Sequence, residues 1–105
     1  PIAELGAHVA PTGVTFYKGD LFPDFKNNLF ITLHGSWNRS SKVGYKVIRV
    51  VFDSEGNVKE ISDFITGWLK DEKVLGRPAA PFELKDGSLL ISDDKANLIY
   101  KVTRI

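Results

Sequence analysis

The residues that could do chemistry sit in four short strings, each next to an apolar segment. His8 lies in Gly6-Ala7-His8-Val9-Ala10-Pro11, and His34, Trp37 and Arg39 lie in His34-Gly35-Ser36-Trp37-Asn38-Arg39. Arg77 is fixed between Gly76 and Pro78, and Asp93 and Asp94 follow the run Leu89-Leu90-Ile91-Ser92. Guanidinium grips carboxylates bidentately, indole stacks on rings, and imidazole donates or accepts one hydrogen bond. Together these groups suit a flat, anionic, aromatic ligand. Each also has a plainer use: a histidine as a hydrogen-bonded strand end, Trp37 as an apolar cap, Arg39 as a solvated charge. Asp93-Asp94 has metal-ligand chemistry, yet carboxylates after a strand more commonly hold a turn through nearby amides. No nucleophile elbow, P-loop or His-x-x-x-His spacing occurs, and neither Ser36 nor Ser88 has a motif supporting nucleophilic catalysis.

What must position these strings is a repeated unit. Tyr45-Lys46-Val47-Ile48-Arg49-Val50 returns as Tyr100-Lys101-Val102-Thr103-Arg104-Ile105. Upstream of these lie Leu29-Phe30-Ile31-Thr32-Leu33 and Leu89-Leu90-Ile91-Ser92, and before those Gly13 to Tyr17 and Ala79 to Leu84. Offsets of 66 (13 to 79), 60 (30 to 90) and 55 (45 to 100) drift as loops of unequal length would make them. A unit of roughly 40–50 residues with about four strands is a propeller blade, so the expected fold is all-β, two four-stranded antiparallel blades. The first blade is expected over 10–67 and the second over 77–105, within one domain.

Strand signals fill both units. Leu29 to Leu33 reads as a strand covered on both faces. Tyr45 to Phe52 alternates, with Val47 and Arg49 on one face and Ile48, Val50 and Phe52 on the other. Val58 to Phe64 reads as an outer strand, with Ile61 and Phe64 packing inward. Asp53 to Asn57 and Lys85-Asp86-Gly87-Ser88 are hairpin turns. Ile65 to Glu72 alone has room for a helical turn, against which Gly67 argues. The second unit ends without a fourth strand, which Ile2 to Leu5 of this or another chain could supply.

Composition removes several classes. In 105 residues, 14 Lys and Arg against 13 Asp and Glu leave a net charge of +1, with no basic stripe for nucleic acid. No apolar run approaches the roughly 18 residues of a membrane helix. There is no cysteine, hence no disulfide, thiolate site or cysteine nucleophile. The sequence opens at Pro1 without a signal peptide, as a processed product or excised fragment would.

The order Leu5-Gly6-Ala7-His8, Leu33-His34-Gly35-Ser36-Trp37-Asn38-Arg39, Gly44-Tyr45-Lys46-Val47, Gly76-Arg77-Pro78 and Lys85-Asp86-Gly87-Ser88 through Asp94 resembles the C-terminal third of the sorbosone/glucose dehydrogenase family. Members are six-bladed propellers that bind pyrroloquinoline quinone (PQQ) and calcium and oxidise sugars outside the cytoplasm. The resemblance implies a periplasmic or secreted location and makes His8, His34, Trp37, Arg39 and Arg77 cofactor-binding residues. Arg77 matches an arginine that holds the quinone carboxylates, His34 stands where relatives have a lysine, and Ala79 replaces a second arginine. The family's catalytic base and calcium ligands belong to blades that this chain does not contain. It therefore implies part of a quinone and sugar site, with no catalytic residue and no metal ligand here.

Two blades cannot close a ring. The expectation is therefore a homo-oligomer, a trimer rebuilding six blades or a strand-swapped dimer, because uncovered edges invite association. The competing class is a non-catalytic binding module that oligomerises in the same way.

Overall fold

The computed structural model describes residues 10–35, 44–70 and 73–103. Strands β1 (Pro11–Phe16), β2 (Leu29–Leu33), β3 (Lys46–Phe52) and β4 (Val58–Ile65) form one antiparallel sheet in that order. The apolar run of β2 is covered on both faces. Phe30 joins Tyr17, Tyr45 and Val47 in one core cluster, while Ile31 and Leu33 join Ile48 and Val50 in a second. This follows from the two-residue period of a strand, which sends neighbouring side chains to opposite faces.

The same period corrects one expectation. Ile61 and Phe64 are three residues apart, so a strand cannot turn both inward. Phe64 packs on Phe30 at 4.5 Å between ring centroids, whereas Ile61 pairs with Val50 at the outer margin and is exposed. Strand β3 begins at Lys46, because Gly44 and Tyr45 both adopt positive φ, 87° and 56°, and turn the chain into it.

The segment considered for a helical turn forms a two-stranded hairpin instead, β5 (Leu69–Lys70) paired with β6 (Lys73–Val74). A second antiparallel sheet follows in the order β7 (Pro78–Glu83), β8 (Leu89–Asp93) and β9 (Leu98–Val102). Its fourth strand is lacking among the described residues, and Ile2 to Leu5 lie outside them. Both expected hairpin turns form, with Gly56 and Gly87 at positive φ. Strand β9 starts at Leu98, two residues ahead of the repeated Tyr100, because the Asp94–Asn97 turn closes directly onto Leu98 opposite Asp93.

The two sheets meet along their first strands. Strands β1 and β7 run side by side in the same direction: Thr12 Oγ1 donates to the Ala79 carbonyl (2.6 Å), and the Lys18 amide to Glu83 Oε1 (2.7 Å). Thr32 Oγ1, fully buried, reaches the same Ala79 carbonyl at 2.9 Å. Leu89 and Ile91 of β8 complete the core cluster that holds Tyr17, Phe30 and Val47. Tyr17 crosses the boundary as well, donating its hydroxyl to the Gly87 carbonyl at 2.6 Å.

Gly13 is required at this seam. A Cβ there would stand 2.8 Å from Pro81 Cδ and 2.9 Å from Ala80 Cα, and the latter is backbone that cannot swing aside. Gly13→Ala is expected to cost about 1–3 kcal/mol, the usual penalty of overpacking. Urea unfolding measures it; a loss below about 0.5 kcal/mol would show that the sheets are not tightly apposed there.

Candidate functional site

Beside the start of β7, Asp93 closes the end of β8. Its side chain, 3% exposed, accepts from the amides of Arg77 (3.0 Å), Lys95 (3.0 Å) and Ala96 (2.9 Å), and from the Tyr100 hydroxyl (2.9 Å). Burial pushes the Asp93 carboxyl up, but these donors outweigh it and hold it below the ordinary aspartate value. Gly76 must be glycine because a Cβ would land on this carboxylate and on the Trp68 indole. Arg77 is thereby fixed at both ends of its peptide unit, its amide on Asp93 and its carbonyl accepting from the Asp94 amide at 3.3 Å.

Asp94, next in sequence, points the other way. Its carboxylate oxygens lie 2.9 and 2.8 Å from His34 Nε2, across the boundary between the sheets. Arg77 Nε approaches the same carboxylate at 3.3 Å, an ion-pair distance with poor hydrogen-bond alignment. That nitrogen is shielded from solvent and has no hydrogen-bond acceptor among the described residues. The side chains of His34, Arg77 and Asp94 are 21%, 42% and 51% exposed, so a solute can reach the cluster.

The seam explains the convergence. His34 follows Thr32 by two residues and Arg77 precedes Ala79 by two, so the Thr32–Ala79 hydrogen bond sets them side by side. The His34 amide, donating to the Ala10 carbonyl at 2.9 Å, fixes the backbone beside it. Of the five residues expected at a site, the structure brings His34 and Arg77 together; His8, Trp37 and Arg39 lie outside the described residues. Asp93 proves to be the turn-holding carboxylate that the plainer reading offered. Asp94 as the bridge was missed, since nothing in a strand-end Asp-Asp pair says which member faces a histidine sixty positions away. Among the described residues no group of three or more His, Cys, Asp and Glu side chains is placed to hold a metal.

The TrAA12-like family matches residues 1–102, nearly the whole chain. This chain belongs to the TrAA12-like family. An uncharacterized protein of Borreliella burgdorferi is 48% identical over 104 residues, covering 96% of this chain and 27% of the relative. A pyrroloquinoline quinone-dependent pyranose dehydrogenase of Coprinopsis cinerea is 42% identical over 50 residues, covering 48% of this chain and 6% of that enzyme. In structure, the PQQ domain of the Coprinopsis cinerea pyranose dehydrogenase superposes with a TM-score of 0.72 at 27% identity, covering 92% of this chain and 27% of that one. A carbohydrate-active enzyme of family AA12 from Trichoderma reesei superposes with a TM-score of 0.75 at 23% identity, over 94% and 26%. This TrAA12-like chain thus spans about a quarter of the length of the Borreliella relative and of these solved structures.

Asp93 gives the site a pH dependence. A carboxyl held low in the folded state stabilises fully above the unfolded aspartate value, near 4, and that stability is lost as pH falls through the lower folded value. Asp93→Ala strands three backbone amides, for an expected cost of about 2–4 kcal/mol at neutral pH. The variant should also lose less stability than the parent on acidification in urea unfolding. An equal acid response in both would remove Asp93 from the account.

Proposed function

We propose that this chain contributes two blades of a six-bladed quinoprotein sugar dehydrogenase and supplies one wall of its quinone site. The observation that carries the reading is the Arg77 guanidinium, with a buried Nε lacking an acceptor, brought beside His34 at the junction of two sheets. A carboxylated planar cofactor fits this donor set. Arg77 would take a carboxylate and His34 would offer one ring nitrogen, with His8, Trp37 and Arg39 expected to complete the wall. Pyrroloquinoline quinone, when bound, supplies the two-electron redox chemistry that a protein side chain lacks.

What the chain itself does is bind and orient. Gly76 and Asp93 fix the Arg77 backbone, so its guanidinium loses less freedom on meeting a carboxylate. His34 is anchored through its amide and its imidazole. A catalytic base and the calcium ligands are expected from other blades, and a location outside the cytoplasm follows from the same relationship. Arg77→Ala in the intact protein should weaken quinone binding by about 1.5–3 kcal/mol, the range of a charge-assisted hydrogen bond, in a spectroscopic titration. Unchanged affinity would take Arg77 out of the site.

A second reading is favoured by the outer faces of the two sheets. Val14 (62% exposed) and Phe16 lie on one, Phe82 (63%) and Ile99 (69%) on the other, as on faces made to receive further blades. If copies of this chain supply them, it is a binding module that closes a ring as a trimer, or as a swapped dimer. Expressed alone, residues 1–105 should then run as an oligomer in size-exclusion chromatography with light scattering at micromolar concentration. A clean monomer would overturn self-assembly.

A further inference from the structure

We propose that a carboxylate ligand binds this site together with a proton, which His34 takes up on Nδ1. The inference deepens the quinone reading and rests on it for the ligand's identity. His34 meets Asp94 from the β8–β9 turn, and Arg77 from the segment before β7 reaches the same carboxylate. Asp93, beneath them, is committed to the amides of Arg77, Lys95 and Ala96 and to Tyr100.

Charge counting gives the direction. A carboxylate is an acceptor only, so the nitrogen that lies 2.8 and 2.9 Å from the Asp94 oxygens, Nε2, carries the hydrogen between them. With a neutral imidazole, Arg77 and Asp94 cancel, and Nδ1 has no hydrogen-bond partner among the described residues. The Arg77 side chain is partly exposed, so its guanidinium is the donor group that an incoming carboxylate can reach. Its arrival places a second negative charge beside Asp94 with His34 next to both. A proton from solvent on Nδ1 restores neutrality and gives the imidazole a donor on each side, while Nε2 keeps its own hydrogen. An opposite charge within hydrogen-bond reach favours the charged form of a titrating group; Asp94 is already one, and the ligand adds a second. By linkage, a ligand that binds with proton uptake should bind more tightly as proton concentration rises.

The test is calorimetric titration of the intact protein with pyrroloquinoline quinone in two buffers of different ionisation enthalpy. The parent should take up a substantial fraction of a proton per quinone bound near neutral pH. His34→Gln should bind with that uptake largely abolished, and Asp94→Asn, which removes one negative charge but keeps an acceptor, should bind with reduced uptake. Binding without proton uptake, or uptake unchanged in both variants, overturns the inference and leaves the quinone reading standing. No binding by the parent overturns the quinone reading, and this inference with it.

Discussion

The structure turns on one carbonyl group. Ala79 O receives the hydroxyls of Thr12 and Thr32 from the first sheet, on a strand pressed so close that Gly13 has no space for a Cβ. A carbonyl has two lone pairs to satisfy, and here both donors come from the neighbouring sheet. This ties the sheets in a fixed register and direction. His34 and Arg77 each lie two residues from that contact, so their meeting at Asp94 is a consequence of how the two sheets pack.

Division of labour between neighbouring carboxylates is the second theme. Asp93 spends its acceptor capacity on three amides and a phenol, which makes it a structural anion. Asp94 is half-exposed and meets two side chains that arrive from different directions. Adjacent residues at a strand end point to opposite sides, so one serves the turn and the other meets His34 and Arg77. The Gly76 contact couples these roles, since the residue that packs against Asp93 immediately precedes Arg77.

Much of the fold was legible in the sequence because its signals are local. Alternation marked β3, the apolar run marked β2, and the Asp-Gly pair marked the β7–β8 turn. Ile61 was misplaced where the inward set broke the two-residue period, and the β5–β6 hairpin escaped because two-residue strands leave no periodic trace. At the site, His34 and Arg77 could be singled out by residue type and by their Gly and Pro neighbours. Their partner could not be found that way, because the pairing depends on a seam between strands β1 and β7, 67 positions apart at Thr12 and Ala79. Quinone binding itself came from resemblance, which the TrAA12-like membership supports at the level of family.

A double-mutant cycle of His34→Ala and Asp94→Ala, read by urea unfolding, tests most directly whether the two sheets deliver these side chains to each other. The structure predicts a coupling energy of about 0.5 kcal/mol or more, as for residues in one hydrogen-bonded network. Additivity within about 0.3 kcal/mol would mean that His34 and Asp94 do not meet, and the site as described would be contradicted.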